Sequence, residues 1–352
     1  VGVVSPIGIG RDAFWSGLMS GHSGIDFLKS FSSNDLPSCL AAEITDFDPV
    51  KYLRDRKFLK VMSRDVQLGV SSANLAMKDG RLFTGDIDPD RLGVVYGAGR
   101  MSTGPEELAD AVSEIIEDAH NEDVMITRWG EESSGRIAPL WLLKQLPNMP
   151  ACHISIDHNA RGPNNTITSR ESSALLALSE AARVIERGAA DAMIVGACGS
   201  NISPVDITKL SLYEGLTHRK DEPEKACRPF DLDRDGTVVG EGAASFIVER
   251  YEHAVARGAE IYAEVIGFGS GCDGAGYNNG AGGRGIARSI QGSLRRAGIT
   301  ADQIGHINAH GKSTQRDDLV EARAYHKTFG DQISQIPVVA LKSYFGNFDA
   351  GS

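Results

Sequence analysis

The acidic stretch 231–236 is the first candidate for chemistry, because its spacing is that of a calcium-binding loop. The residues Asp-Leu-Asp-Arg-Asp-Gly place carboxylates at alternate positions. Such a loop needs a bidentate glutamate at its twelfth position, which is Gly242 here, and Glu241 comes one residue early. We therefore predict a charged turn held by Arg228 and Arg234 rather than a metal site.

Other motifs for cofactor or hydrolase chemistry are weak or absent. The glycines of 267–271 lack the G-x-G-x-x-G spacing of a dinucleotide loop, and the chain has neither a G-x-S-x-G elbow nor an HExxH pair. His153 and His158 fall on a predicted strand, facing opposite sides, and are interpreted as ordinary strand residues. The five cysteines, at 39, 152, 198, 227 and 272, form no CxxC pair. We predict no disulfide framework, no metal and no bound cofactor, and expect a reducing, cytoplasmic location.

Strand-like and helical runs alternate along most of the chain, which is typical of stacked α/β layers. The clearest unit is an amphipathic helix over 172–187, ended by Gly188, and then an apolar strand over 192–196. Strands are also predicted over 91–97, 243–249, 261–267 and 305–310, and helices over 252–258 and 286–298. The polar segment 117–136 is expected to cross the surface.

Composition and charge exclude several classes of protein. The 352 residues are 41% hydrophobic and 24% charged, which is typical of a globular protein, and the length favours two halves sharing a core. A net charge of −11 argues against a general nucleic-acid binder. No run approaches the ~18 apolar residues of a membrane span.

Four segments carry a more specific signal. They are Gly2-Val-Val-Ser-Pro-Ile-Gly8, continued by Phe14-Trp15 and Gly21-His-Ser-Gly-Ile25; Arg228-Pro-Phe-Asp-Leu-Asp-Arg-Asp-Gly236, continued by Val239-Gly-Glu-Gly-Ala243; Asn308-Ala-His-Gly-Lys-Ser-Thr314 with Glu321; and Lys342-Ser-Tyr-Phe-Gly-Asn347 with Ala350-Gly351. In this order and over essentially the whole chain, they resemble the β-ketoacyl-acyl-carrier-protein synthase family, the elongating type II enzymes.

The resemblance implies an architecture. The family fold is the α/β thiolase-like sandwich of five layers, αβαβα, built from two related halves, here 1–255 and 256–352. The chain begins just inside the family's first strand and lacks its last strands, so the second half is expected to be incomplete. Family members are dimers, and the segment 151–158 lies where the family pairs strands across the two-fold axis. The resemblance leaves open a homodimer or a heterodimer with an active synthase.

The resemblance also implies a Claisen condensation. In the family, a cysteine at a helix N-terminus takes an acyl chain from the phosphopantetheine arm of an acyl carrier protein, because the helix dipole favours its thiolate. Two histidines then assist decarboxylation of malonyl-carrier protein and stabilise the thioester enolate.

The catalytic positions of the family are only partly retained. Gly162-Pro-Asn164 is present, and the offset that leads to the nucleophilic cysteine ends at Glu171, after Arg170. His310 is retained, whereas Asn347 stands at the second histidine position. The other family positions are filled by Lys342 and Glu321 as supporting residues, and by Lys312 and Thr314 in the substrate-binding loop.

A glutamate at the nucleophile position changes the chemistry. The Glu171 carboxylate should stay ionised at a helix N-terminus, and it is a poor thioester acceptor. It would also face the malonyl carboxylate, and two like charges ~4 Å apart at a dielectric of ~20 repel by ~4 kcal/mol. Asn347 can donate a hydrogen bond but cannot titrate near neutrality. We predict that Glu171 forms an ion pair with Lys312.

Two functions remain open from the sequence. The first is a non-condensing partner subunit, similar to the chain-length factors that lose the cysteine and pair with an active synthase. The second is an active 3-oxoacyl synthase-type acyltransferase or a malonyl-carrier-protein decarboxylase that works without the cysteine. For docking of an acidic carrier protein, Arg56 and Lys60 lie in a basic run between Arg54 and Arg64, although the same run is equally typical of a solvated helix face.

Overall fold

The computed structural model describes residues 1–33, 35–83, 85–101, 104–113, 127–274 and 282–352. The strands are β1 (Gly2–Ser5), β2 (Gly8–Ile9), β3 (Ile25–Phe27), β4 (Leu40–Ala42), β5 (Leu92–Ala98), β6 (Asn164–Ile167), β7 (Ala192–Ser200), β8 (Val239–Glu249), β9 (Ile307–Asn308) and β10 (Val338–Val339). The helices are α1 (Arg11–Met19), α2 (Arg64–Asp79), α3 (Glu106–Ser113), α4 (Met149–His158), α5 (Ser173–Glu186), α6 (Pro204–Tyr213), α7 (Tyr251–Ala256), α8 (Arg284–Ala297), α9 (Gln315–Phe329) and α10 (Lys342–Phe345).

A mixed sheet forms the centre of the larger part of the chain. Its strand order is β2-β1-β8-β7-β5-β6, and the hairpin β3-β4 joins it because β4 pairs with β8. The strands β6, β5 and β7 run parallel to one another, whereas β8 runs antiparallel to both β7 and β1. The long, apolar β7 is therefore flanked on both sides.

Both faces of the central strands are covered by helices. Successive side chains of a strand point to opposite faces, so alternate residues of β7 enter two different cores. Ile194 packs with Val66 of α2 on one face, while Met193 and Val195 pack with Ala177 of α5 on the other. This double burial fixes α5 against the sheet and sets the position of the residues immediately before it.

The last described segment forms a smaller unit. Strands β9 and β10 pair in parallel, and α8 and α9 pack beside them around Tyr325, Phe329 and Ile336. Thr314 caps the N-terminus of α9 by accepting the Asp317 N–H at 3.0 Å. The loop from β9 to α9 is therefore short and held at both ends.

Several predicted elements are confirmed, with bounds close to those expected. The amphipathic helix is α5, the glycine-ended helix over 286–298 is α8, and the strands over 91–97, 192–196 and 243–249 are β5, β7 and β8. The predicted helix over 252–258 is the shorter α7. Of the expected surface segment, 117–126 lie outside the described residues, and 129–136 form short helical turns. No helix in the described ranges has the length and apolar character to span a bilayer.

The prediction of a strand over 151–158 is wrong, because this segment is the helix α4. Its buried residues Ala151, Ile154 and His158 recur at intervals of three and four, which is the helical period, and Asn159 ends the helix with a φ of 52°. His153 and Cys152 therefore lie on a helix as well. The edge of the sheet is formed instead by β6, after the helix.

The prediction of a strand over 261–267 is also wrong. This segment has no strand partner in the described part of the chain, and its glycine end lies against α8 instead. A Cβ on Gly267 would come within 2.4 Å of the Ser293 carbonyl, and one on Gly269 within 2.2 Å of that of Ser289. The strand expected over 305–310 is reduced to the two residues of β9.

Candidate active site

Three segments bring charged and polar side chains together at the N-terminus of α5. A 3-10 turn runs directly into α5 and carries Glu171. The loop between β9 and α9 carries His310 and Lys312, and the residues that follow α10 carry Asn347 and Asp349. The structure thus assembles residues that are almost 180 positions apart in the sequence.

The predicted ion pair between Glu171 and Lys312 is confirmed. The Lys312 ammonium donates to Oε1 of Glu171 at 2.8 Å, and Lys312 is only 6% exposed. Burial would raise the pKa of Glu171, but the charge of Lys312 and its hydrogen bond outweigh burial and hold that pKa at about 2. Burial likewise lowers the pKa of Lys312, yet its carboxylate partners raise it above its ordinary value. Both groups are charged at neutral pH.

Lys312 has a second carboxylate partner that the sequence did not predict. Its ammonium also contacts Glu214, the residue that follows α6, and Arg170 donates to the same Glu214 carboxylate at 2.6 Å. Arg170 reaches Asp349 as well, at 3.3 Å. We call Arg170, Glu171, Glu214, Lys312 and Asp349 the ionic cluster. It holds three carboxylates against two cations.

The two missed residues differ in how they could have been found. Asp349 lies inside the motif that contains Asn347, Ala350 and Gly351, so its position pointed to the site. Burial and the neighbouring Glu171 charge raise its pKa. Glu214 lies in no motif, and only the packing of α6 brings it to Lys312.

Asn347 lies against the same carboxylate oxygen. Its amide Nδ2 is 3.5 Å from Oε1 of Glu171, and its Oδ1 accepts the Ser352 hydroxyl at 2.9 Å. Its backbone N–H donates to the Val238 carbonyl at 2.8 Å, which fixes the segment at the start of β8. The Asn347 side chain is therefore held by neighbours on both of its polar atoms.

His310 and Lys342 form a second group beside the ionic cluster. Burial lowers the pKa of His310 to about 3, and the nearby positive charge of Lys342 acts in the same direction. Burial also lowers the pKa of Lys342 to about 8, although Glu171 and Glu321 oppose it. The Lys342 ammonium lies 3.4 Å from Nδ1 of His310. A neutral imidazole that accepts at Nδ1 keeps its N–H at Nε2, where it can donate to an oxyanion.

Glu321 and Thr314 hold the loop that carries His310. The Glu321 carboxylate accepts the backbone N–H groups of His310 and Gly311 at 2.7 and 2.9 Å, and the Tyr325 hydroxyl at 2.6 Å. Thr314 acts as the cap of α9, and its carbonyl accepts from Arg234 at 3.0 Å. In this structure both residues position the loop, and the predicted role of Thr314 in substrate binding stays a prediction.

The remaining candidates lie apart from this site. Arg56 and Lys60 are exposed on the 3-10 turn Arg56–Val61, whose Phe58 ring packs against His153. Arg64, in contrast, is bound to Glu241 at 2.7 Å. Docking through Arg56 and Lys60 stays a prediction.

The cysteines and the acidic loop do not add a reactive centre. All five cysteines are free; Cys198 and Cys227 are buried, and burial raises the pKa of Cys227 to about 12. Arg234 joins the 231–236 turn to the Thr314 and Gln315 carbonyls. Within the described ranges, no three His, Cys, Asp or Glu side chains are grouped so that they could hold a metal ion.

Comparison with known proteins decides the family. Residues 1–254 match the β-ketoacyl synthase N-terminal domain, and residues 262–352 match the β-ketoacyl synthase C-terminal domain. The chain belongs to the β-ketoacyl synthase family. It is 36% identical over 348 residues to a 3-oxoacyl-[acyl-carrier-protein] synthase 2 of Coxiella burnetii, covering 99% of this chain and 80% of that one. It is thus a β-ketoacyl synthase family protein of fatty-acid or polyketide biosynthesis.

Solved ketosynthases share its fold. The ishigamide ketosynthase/chain length factor superimposes with a TM-score of 0.83 at 26% identity, covering 99% of this chain and 81% of that one. A type II polyketide synthase acyl-carrier protein in complex with its ketosynthase gives a TM-score of 0.79 at 29% identity, with the same coverages. The α/β, thiolase-like ketosynthase fold with N- and C-terminal domains predicted from the sequence is therefore confirmed.

Proposed function

We propose that this ketosynthase-family protein is a non-condensing partner subunit that resembles a chain-length factor. The family motif assigns Glu171 to the position of the nucleophile, and one observation carries the proposal: Glu171 is a partly buried carboxylate in an ion pair with Lys312. Both the chemistry and the charge of that position oppose condensation.

The Glu171 carboxylate cannot replace a cysteine thiolate. With a pKa of about 2 it is a permanent anion at neutral pH, and Lys312 and Asn347 already lie against its Oε1 atom. Acyl transfer to a carboxylate gives a mixed anhydride instead of a thioester, so the acyl group is not held by the exchange chemistry of sulfur. An acyl-enzyme at Glu171 would also require the ion pair to break.

The ionic cluster also opposes malonyl binding. With one carboxylate in excess, a malonyl carboxylate entering beside it meets a net negative charge. One such unpaired contact at ~4 Å costs about 4 kcal/mol at an effective dielectric of ~20. The lysine and arginine of the cluster are already engaged by its own carboxylates, so neither of these two cations is left to offset this cost.

The proposed partner is an active ketosynthase, and the pair would act on an acyl chain carried by the phosphopantetheine arm of an acyl carrier protein. The ketosynthase/chain length factor and the ketosynthase–carrier-protein complex among its structural relatives support this proposal. We further propose the five-layer αβαβα arrangement, with the halves divided near residues 255 and 256.

An assay with carrier proteins tests the proposal. The purified protein, alone and mixed with candidate ketosynthases, is incubated with acyl- and malonyl-carrier protein, and products are followed by mass spectrometry. We expect no condensed product from the protein alone, and a complex with an active ketosynthase on size-exclusion chromatography. Condensation by the protein alone would overturn the proposal.

A second candidate is decarboxylation of malonyl-carrier protein without condensation. The arrangement that favours it is the group formed by His310, Lys342 and Glu321, in which a neutral imidazole can donate from Nε2 to a developing enolate. The same assay separates the candidates, because this one requires release of carbon dioxide without carbon–carbon bond formation. A His310→Ala variant should then lose that release.

Charge reversal tests the proposed docking surface. We expect Arg56→Glu/Lys60→Glu to weaken binding of an acidic carrier protein, because both side chains are exposed and positive charge steers acidic partners. The matched control is Lys220→Glu/Arg288→Glu, which makes the same change in net charge at exposed positions elsewhere. Equal binding by the two variants, measured by surface plasmon resonance at low salt, would refute docking at this surface.

A further inference from the structure

Asp65 is a buried acid that the active site does not use. It lies in the first turn of α2, is 4% exposed, and accepts the backbone N–H of Ser200 at 2.7 Å. Ser200 is the last residue of β7, so Asp65 ties α2 to the point where β7 leads into α6. In the described part of the chain, no cation lies within ion-pair distance of Asp65.

Two more carboxylates converge on the same place. Glu241 of β8 accepts the Ser200 hydroxyl at 3.1 Å, and Arg64 donates to it at 2.7 and 2.9 Å. Asp206 of α6 pairs with Arg100, which follows β5, at 3.1 Å. Glu241 and Asp206 thus each pair with a guanidinium group, whereas Asp65 has no such pair among the residues that the structure describes.

The remaining groups around Asp65 do not supply a balancing charge. Cys198 of β7 is the titratable neighbour on the sheet side, and its thiol is neutral because burial raises its pKa. A cavity of about 930 Å³ adjoins Asp65 and is also lined by Glu43, Glu106 and two lysines, Lys29 and Lys144, which pair with Asp26 and Glu107. This cavity gives protons a path to the carboxyl group.

Burial raises the pKa of Asp65 to about 7; the backbone N–H groups of Asp65 and Ser200 oppose this rise, and the charges of Asp206 and Glu241 add to it by smaller amounts. The folded pKa therefore lies above the unfolded value of 3.8. Between these values the folded protein retains a proton that the unfolded chain releases. Folding stability from this group consequently falls as pH rises from about 4 to 7, and the loss is complete above the folded pKa.

We propose that Asp65 is a pH-dependent link between α2 and the junction of β7 and α6, which is stronger when its carboxyl group is protonated than when it is ionised. When protonated, it holds the Ser200 amide without adding a third negative charge; when ionised, it is repelled by Glu241 and Asp206. The effect reaches the ionic cluster through α6: Ser203 caps the N-terminus of this helix by accepting the Asp206 N–H, and Glu214 directly follows its last residue. This inference does not rest on the proposed function.

Unfolding of Asp65→Asn at two pH values provides the first test. Asparagine has the same shape, its Oδ1 can still accept from Ser200, and it cannot ionise. We expect the difference in urea midpoint, variant minus parent, to be larger at pH 8 than at pH 5. The control Glu260→Gln removes an exposed carboxylate and should give the same difference at both pH values. Any constant loss of stability caused by the substitution itself cancels in this comparison.

Hydrogen exchange of the peptide 201–214 provides the second test. After correction for the intrinsic rate, we expect this peptide to exchange faster at pH 8 than at pH 6 in the parent, and equally at both pH values in Asp65→Asn. A merely structural hydrogen bond would not give this pH dependence. A pH-independent difference between parent and variant in either measurement overturns the proposal.

Discussion

Replacing Lys312 by methionine is expected to lower the free energy of unfolding by about 3 kcal/mol, because removal of one partner leaves a buried charge uncompensated. Lys312 is the cation shared by Glu171 and Glu214, and its side chain is 7% exposed. Methionine fills a similar volume, so the loss reports the charge rather than a cavity. Arg170 still contacts Glu214 at 2.6 Å, which keeps the loss toward the lower end of the range for buried pairs. Equilibrium unfolding in urea measures it.

The matched control is Lys225→Met, which removes an exposed lysine paired with Glu222. Exposed pairs contribute little, so this variant should unfold close to the parent. The double variant Lys312→Met/Glu171→Gln should recover part of the loss, because the unpaired carboxylate at position 171 is gone. If Lys312→Met unfolds like the control, the ionic cluster does not stabilise the fold.

Part of this site could be predicted from the sequence because the family motifs assign particular residues to the catalytic positions. The resemblance assigns Glu171 and Lys312 to active-site positions that are uncharged in the family motifs, and opposite charges at neighbouring positions predict an ion pair. Glu214 could not be predicted in this way. Its contact with Lys312 depends on where α6 ends, and the sequence around that end carries no motif.

The fold likewise contains elements that the local sequence predicts and elements that depend on tertiary packing. The helix α5 and the strand β7 were predictable because α5 shows a clear helical period, β7 is a short continuous apolar run, and a glycine separates them. The helix α4 is short and its apolar residues fit either period, so tertiary packing decides its conformation. The segment 261–267 has the composition of a strand, but a strand also needs a neighbouring backbone, and this information is not local.

The site combines two neighbouring groups of charged and polar side chains. We propose that the ionic cluster occupies the position of the nucleophile and its surroundings; its five side chains hold one another. The group of His310, Lys342 and Glu321 lies beside it with its positioning hydrogen bonds in place. We therefore attribute the proposed absence of condensation to Glu171 and Asn347, and not to a collapsed loop around His310.

Placing cysteine at position 171 and histidine at position 347 should give the protein acyl-transfer activity. We expect Glu171→Cys/Asn347→His to accept an acyl group from acyl-carrier protein at least about 10³-fold faster than the parent, since removal of a nucleophile costs an enzyme this much or more. The new thiol would lie at the N-terminus of α5 beside the Lys312 ammonium, and both features lower a thiol pKa and favour the thiolate. Mass spectrometry of the peptide that contains position 171 detects the acyl group.

The control Glu171→Ser/Asn347→His keeps the new imidazole but not the thiol, and it should remain unacylated. An unacylated Glu171→Cys/Asn347→His variant whose urea midpoint matches the parent would contradict the attribution to these two positions. Acylation without carbon–carbon bond formation would instead show that the block lies after acyl transfer. Glu214 and Asp349 remain in that variant against Arg170 and Lys312, so the ionic cluster no longer has a carboxylate in excess, and its net charge could not account for the block.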